Sequence, residues 1–383
     1  MSEVVDVLVI GGGPVGAALA LSLKGEALSV TVLEARTSPS NDPRVLALSH
    51  GSRLYLEKIG ADIDPATPIT KIHVSQKGGF GRTILTAEES GVPALGYVAR
   101  YADVHRAIAS RLDSQTCISG AVAAEIDLDG EYGTVDFDHE GTRRRIAARL
   151  IVMADGGKLV GHVKGITQHV REYGQWAITG QVKTEKPHCN TAYERFTPDG
   201  PLALLPSGDG FSLVWTASPE EARAILSLER GAFLEKLQNH FGERLGQFVD
   251  CGTLSGFPLV LRYSTPFVSS HLALVGNAAQ TLHPVSGQGL NLGLRDAAML
   301  SREILESDSI GSEKMLSNYR KAREIDRGSG IRFTDSLIRL FSNEIPPLRA
   351  GRGIGLAALD CLPPARKWFS RSMMFGFKTR SIL

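Results

Sequence analysis

With 383 residues, of which 43% are hydrophobic and 22% charged, the chain has the composition of a folded globular protein and the length of two domains. A formal net charge of +1 excludes a general nucleic-acid binder. The four cysteines (Cys117, Cys189, Cys251 and Cys361) form no CxxC pair and the histidines no HxxxH or HExxH pair, which argues against a disulfide framework or a zinc enzyme.

The uncharged run Val7–Leu23 is too short for a membrane span and is broken by Gly11-Gly12-Gly13-Pro14. Acidic Glu3 and Asp6 precede it, where an export signal carries positive charge, so a cytoplasmic protein is expected. "VVDVLVIGGGPVGAALALSL" reads as a buried strand, Val4 to Ile10, a glycine turn and a small-residue helix opened by Pro14 and Val15. Gly11, Gly13 and Gly16 fit the spacing GxGxxG. The first glycine permits the tight turn, the second lets the backbone approach a pyrophosphate, and the third lets helix pack on strand. The N–H groups and dipole at the helix N-terminus suit the phosphates.

A second strand, "SVTVLEA", ends at Glu34, an acceptor for the hydroxyls of an adenosine ribose. Glu34 alone leaves NAD and FAD open. Ala35 and Arg36 follow it, and Arg44 lies in "DPRVLALSHGS"; both arginines are candidates for a cofactor's phosphates or adenine.

"ALGYVARYADVHRAIASRL" has Val104, Ile108 and Leu112 at helical spacing and predicts one amphipathic helix. "AVAAEIDLDG" and "GTVDFDHEG" predict a meander turned at Asp129-Gly130, before a buried strand over Leu150–Ala154 that ends at Asp155-Gly156. From Gln175 to Pro266, short apolar runs separated by Pro and Gly turns predict an antiparallel sheet broken by one helix over Pro219–Phe241; residues 70–95 have the same character. The fold class expected is α/β. A Rossmann-like domain (1–69, 96–174 and 267–330) would carry an inserted, mainly antiparallel β-sheet substrate domain (70–95 and 175–266), with a C-terminal helical, basic segment over 331–383.

"LVGNAAQTLHPVSGQGLNLGLRD" meets no charge until Arg295. A strand over Leu272–Val275 would deliver Gly276-Asn277 to the carboxyl edge of the sheet, where ligands of open α/β folds collect. The loop Pro284–Asn291 carries Gly287 and Gly289, which let a flat ring lie against the main chain, and leads into a helix from about Leu290 to Leu305. A reduced flavin is negative near N1 and C2=O, so a helix N-terminus there stabilises it. The ligand inferred is FAD, held by the first glycine turn and by Asn277, Pro284, Gly287, Gln288, Gly289, Leu290 and Asn291.

These motifs, together with "GNAAQTLHP", "RFTPDGPLALLP" and "RFTDSLIRLF", resemble the flavoprotein aromatic hydroxylases of the para-hydroxybenzoate hydroxylase group, in their ubiquinone-biosynthesis branch. The resemblance covers nearly the whole chain. It implies an FAD-dependent monooxygenase that uses O2, through a flavin C4a-hydroperoxide, to hydroxylate a polyprenylated phenol, 2-polyprenyl-6-methoxyphenol. It implies NAD(P)H or another electron donor as reductant, and a ubiquinone-biosynthesis complex as partner. The turn Asp155-Gly156-Gly157-Lys158 departs from the family's usual sequence. His283 stands at the expected flavin face as a candidate to assist phenol deprotonation. Trp176, Trp215 and Trp368 do not form the Trp-x-Trp signature of a flavin-dependent halogenase. A prenyl-group reductase and a non-catalytic flavin subunit of a lipid-synthesis complex remain as alternatives.

From Arg332 onward nine basic residues stand against three acidic ones, interspersed with Trp and Phe. That pattern predicts peripheral contact with the inner face of the cytoplasmic membrane.

Overall fold

The computed structural model describes residues 4–38, 41–282, 287–341 and 346–377. Val4–Ile10 forms the central strand of an eight-stranded sheet because its run of β-branched and aliphatic residues is covered on both faces. It pairs in parallel with Val30–Glu34 on one side and with Thr142–Met153 on the other. Leu272–Leu274 joins in parallel beyond Thr142–Met153, and Cys117–Ser119 beyond Val30–Glu34. The expected meander, Val122–Asp127 and Gly133–His139, runs antiparallel onto Thr142–Met153. Helix α1, Pro14–Ser22, is built from small and aliphatic residues and packs flat on this sheet with Ala17, Ala18 and Leu19 buried.

A second, nine-stranded sheet is antiparallel except where Thr191–Phe196 runs parallel to Lys71–Gln76. That pairing brings the strands Lys71–Gln76 and Arg82–Thr86 into one sheet with Leu202–Ser207, Gly210–Ala217, Thr167–Thr184 and Ser255–Thr265. Alternation divides its faces. Leu202, Leu204, Leu213 and Trp215 pack beneath two helices, while Ala203, Leu205 and Val214 face the opposite way into a cavity.

Helices α2 (His50–Lys58) and α3 (Ala87–Ser90) precede α4 (Tyr101–Ala109). The single helix expected over "ALGYVARYADVHRAIASRL" is therefore corrected. Gly96–Arg100 is a strand between Val45–Ser49 and Thr67–Ile69, and the helix starts only at Tyr101. A Cβ at Gly96 would stand 2.6 Å from Leu48 O, so the glycine permits a strand contact that helical periodicity does not reveal. The helix expected over Pro219–Phe241 is likewise two, α5 (Pro219–Leu226) and α6 (Arg230–Phe241), separated where Glu229 turns extended.

α7 (Gln288–Leu305) and α8 (Glu313–Phe341) pack against each other and share the core of the first sheet, followed by α9 (Pro346–Cys361) and α10 (Pro363–Phe375). α10 is docked rather than free: Ser49 Oγ donates to Met374 O at 2.9 Å, and Arg366 pairs with Glu89 at 2.7 Å. Residue 175 lies within the strand Thr167–Thr184, and residue 331 within α8. Among the described residues no helix is long and apolar enough to cross a membrane.

Candidate functional site

The glycine turn sits where Val4–Ile10 hands over to α1. Gly11 adopts φ +105°, and a Cβ there would lie 2.6 Å from Ala154 O; Gly16 approaches Gly11 O so closely that its Cβ would stand 2.1 Å away. These two glycines serve the packing of the turn on the neighbouring strand end. Gly13 differs, because a Cβ there would meet only the Tyr101 hydroxyl at 3.8 Å. It is also the N-cap of α1 and supplies no side-chain cap, so the helix N-terminus presents backbone donors to the cavity.

Glu34 reaches back to this turn. Its Oε2 accepts the N–H of Gly12 at 2.7 Å, and its Oε1 accepts both the backbone N–H of Arg36 at 2.9 Å and Arg36 Nε at 2.8 Å. Burial opposes the carboxylate's charge, yet these Arg36 contacts hold its pKa below the ordinary value. Arg44 is placed by an ion pair with Asp42 at 2.6 Å and by a cation–π contact with Tyr101, its guanidinium 5.3 Å from the ring centre. Glu34, Ala35, Arg36 and Arg44 line the same cavity as Gly11, Gly13, Pro14 and Val15.

The second half of the site comes from Leu272–Leu274 and the N-terminus of α7. Asn277 is exposed and lines the cavity, as do Gly287, Gln288, Gly289, Leu290 and Asn291. Gly287 caps α7 at φ +59°, the left-handed region, with its missing Cβ 3.1 Å from Ala47 Cβ. Gly289 has nothing within 4 Å of the Cβ position. The Asn291 side chain is committed to the protein. Its Oδ1 accepts Ser49 N at 2.8 Å, and its Nδ2 donates to Ala47 O at 2.9 Å and Gly287 O at 2.7 Å. It therefore staples α7 to the strand Val45–Ser49. His283 and Pro284 lie outside the described residues.

Beneath this turn runs a buried polar network that sequence reading missed. Asp296 accepts Gly276 N at 3.0 Å, Gln280 Nε2 at 2.7 Å and Arg323 Nε at 2.7 Å. Arg323 and Arg295 both pair with Asp326, and Arg327 donates to Gln280 Oε1 and Ser264 O. Burial opposes the charge of Asp326, but Arg295 and Arg323 hold its pKa below the ordinary carboxylate value. In sequence these residues look like the solvated faces of α7 and α8; no local signal separates them from surface ion pairs.

One cavity of about 1380 Å³ joins the two glycine-rich turns to an apolar lobe. The lobe is walled by the second sheet (Ile72, Val74, Phe257) and by the C-terminal helices (Phe333 of α8, Leu356 of α9 and Phe369 of α10). The residues present fit an extended dinucleotide: two helix N-termini without side-chain caps, open space at Gly13 and Gly289, and an acidic and a basic group at Glu34 and Arg44.

Comparison with known proteins accords with this geometry. The FAD binding domain family matches residues 4–326. The chain is 34% identical to ubiquinone hydroxylase UbiL of Rhodospirillum rubrum, across 98% of its own length and 91% of that protein. It is 31% identical to 3-demethoxyubiquinol 3-hydroxylase of Escherichia coli, across 93% of its own length and 94% of that protein. In fold it superposes on p-nitrophenol 4-monooxygenase PnpA of Pseudomonas putida with a TM-score of 0.80 and 19% identity, covering 100% of both chains.

Proposed function

Since the chain belongs to the FAD-binding hydroxylases of the ubiquinone-biosynthesis family, we propose that it hydroxylates the ring of a polyprenylated phenol such as 2-polyprenyl-6-methoxyphenol. The observation that carries this reading is the continuity of the cavity. A polar end with a dinucleotide's contacts opens directly into an apolar lobe that suits an aromatic ring and a prenyl chain. Bound FAD supplies the two-electron chemistry by which one atom of O2 reaches the ring.

The chain's own residues position and exclude. The N-terminus of α1 receives the pyrophosphate, Glu34 the adenosine ribose, and Arg36 and Arg44 the phosphates or adenine. The N-terminus of α7 takes the electron-rich edge of the ring system, with Asn277 beside the ribityl chain. NAD(P)H or another donor is proposed as the reductant. The aliphatic walls keep water from the reacting ring.

A peripheral place on the cytoplasmic face of the membrane belongs to the same proposal, directly or within a ubiquinone-biosynthesis complex. Pro347, Leu348, Gly351, Ile354, Gly355 and Ala358 form an exposed apolar face on α9, and Leu348, Gly351 and Gly355 also line the cavity. Exposed Leu362, Lys367, Trp368 and Arg371 flank it. A prenyl chain dissolved in lipid would meet the cavity at this face.

The test is to incubate FAD-loaded protein with a prenylated methoxyphenol, a reductant and isotopically labelled O2. A product carrying one labelled oxygen on the ring is expected. Reductant consumed with saturation of the prenyl chain and no oxygen incorporated would establish the prenyl-group reductase instead.

A further inference from the structure

The floor of the apolar lobe holds one carboxyl group that the scheme above does not use. Register places Glu194 in a row that crosses the second sheet: Thr83 opposite Val74, Val74 opposite Glu194, Glu194 opposite Ala203, Ala203 opposite Val214, and Val214 opposite Thr179. Residues paired in register share a face, and all six line the cavity. The carboxyl of Glu194 thus has Val74 and Ala203 as its lateral neighbours. Its Oε1 is out of solvent contact and has no hydrogen-bond partner among the described residues. The adjacent Arg195 belongs by alternation to the opposite face, with His73 and Ser75, and gives it no ion pair. A buried polar atom without a partner is costly, and one that faces a ligand cavity is satisfied by the ligand.

We propose that Glu194 is the ring-recognition residue of the apolar lobe, donating a hydrogen bond from its protonated carboxyl to an oxygen substituent of a neutral phenol. The proposal rests on the aromatic-ring reading given above and adds a selectivity to it. A neutral acid accommodates hydroxyl and methoxy oxygens, whereas a ring bearing its own carboxylate would bring a second acid into a site of low polarity. Burial alone pushes the Glu194 carboxyl up to about 8, so it holds its proton at neutral pH. Among the described residues, the other charged groups lining the cavity are Glu34, Arg36, Asp42 and Arg44 at the first glycine turn, Asp155 and Lys158 at the next strand end, and Arg352 of α9.

Equilibrium dialysis of FAD-loaded, full-length protein against 2-methoxyphenol and para-hydroxybenzoate tests it, with the Glu194→Gln and Glu194→Leu variants alongside. The unmodified protein should bind methoxyphenol in preference to hydroxybenzoate and lose affinity as pH rises through about 8. Glu194→Gln keeps a donor that does not titrate, so its affinity should stay within about threefold and lose that pH dependence. Glu194→Leu should bind about tenfold more weakly. Methoxyphenol binding by the parent with the same affinity and pH dependence in both variants overturns the role of Glu194 alone. Absence of phenol binding by the FAD-loaded parent overturns the aromatic-ring reading and this inference with it.

Discussion

Asp296 Oδ2 accepts the backbone N–H of Gly276 at 3.0 Å, so a carboxylate buried in the middle of α7 fixes the turn that presents Asn277 to the cavity. The same carboxylate holds Arg323, which is 1% exposed. Asp296→Leu would leave the Gly276 N–H, the Gln280 amide and the Arg323 Nε without their acceptor, Arg323 keeping Asp326 as its carboxylate partner. A loss of about 3–5 kcal/mol in unfolding free energy is expected, the cost of breaking a buried ion pair from one side. Urea denaturation measures it; a variant as stable as the parent would show that this turn is held by other contacts.

The three glycines of the first turn should separate by function. Gly16→Ala brings a methyl within 2.1 Å of Gly11 O and should destabilise the fold, whatever the ligand. Gly13 has no such neighbour, and its φ of −65° suits any residue. Gly13→Val should therefore fold and lose FAD. Thermal melting and flavin content, read together on the two variants, check the distinction. A folded Gly13→Val protein with full flavin occupancy would remove the pyrophosphate from this turn.

Asn277 is exposed at the carboxyl edge of the sheet, and no described residue is held by its side chain. Asn277→Asp keeps an acceptor and should retain the cofactor. Asn277→Leu removes every hydrogen-bonding atom and should weaken FAD binding by about 1–3 kcal/mol. Fluorescence titration of the apoprotein with FAD gives both constants, and equal values for Leu and Asn would place the ribityl chain elsewhere.

His73 and His240 lie buried on the far side of the second sheet. Burial, with Arg244 and Arg82 beside His73 and Lys77 and Arg195 beside His240, pushes each down to about 4 from 6.5. The unfolded chain binds protons at these positions before the folded chain does. Stability should therefore fall as pH drops from about 6.5 toward about 4. His73→Phe and His240→Phe should flatten the denaturation midpoint across that window. An unchanged acid limb in the double variant would assign the loss to carboxylates.

The parts of the site legible in sequence were those encoded by short-range spacing. Gly11, Gly13 and Gly16 announce a turn by their spacing, Gly11 and Gly16 because a Cβ at either would collide with backbone, and Glu34 follows at the end of the next strand. The uncharged run before Arg295 announced a loop, and its described residues Gly287–Asn291 line the cavity. What stayed hidden was long-range. Gly96–Arg100 carries a strand because it pairs with Val45–Ser49, far earlier in the chain, where Leu48 O approaches Gly96. Asp296 and Arg323 are interior because α7 and α8 pack against each other. Arg352 and Arg366, counted as surface charge in the basic C-terminal segment, prove to be respectively buried and paired with Glu89. The segment's positive charge is thus partly structural.

That revision changes how membrane contact should be tested. Deleting α10 would remove Met374, whose carbonyl holds Ser49, and Phe369, which lines the cavity, so a truncation confuses folding with docking. Ile354 and Trp368 are better probes, being 61% and 64% exposed on α9 and α10. Ile354→Asp and Trp368→Asp should leave flavin content and melting temperature unchanged. Each should weaken sedimentation with anionic vesicles about tenfold, because the apolar side chain no longer enters the interface. Added salt should weaken the parent as well, through Lys367 and Arg371. Binding that responds to salt but not to either substitution would mean that basic residues hold the vesicle while the α9 face stays in water, and the cavity mouth would then have to receive its prenyl chain from another protein.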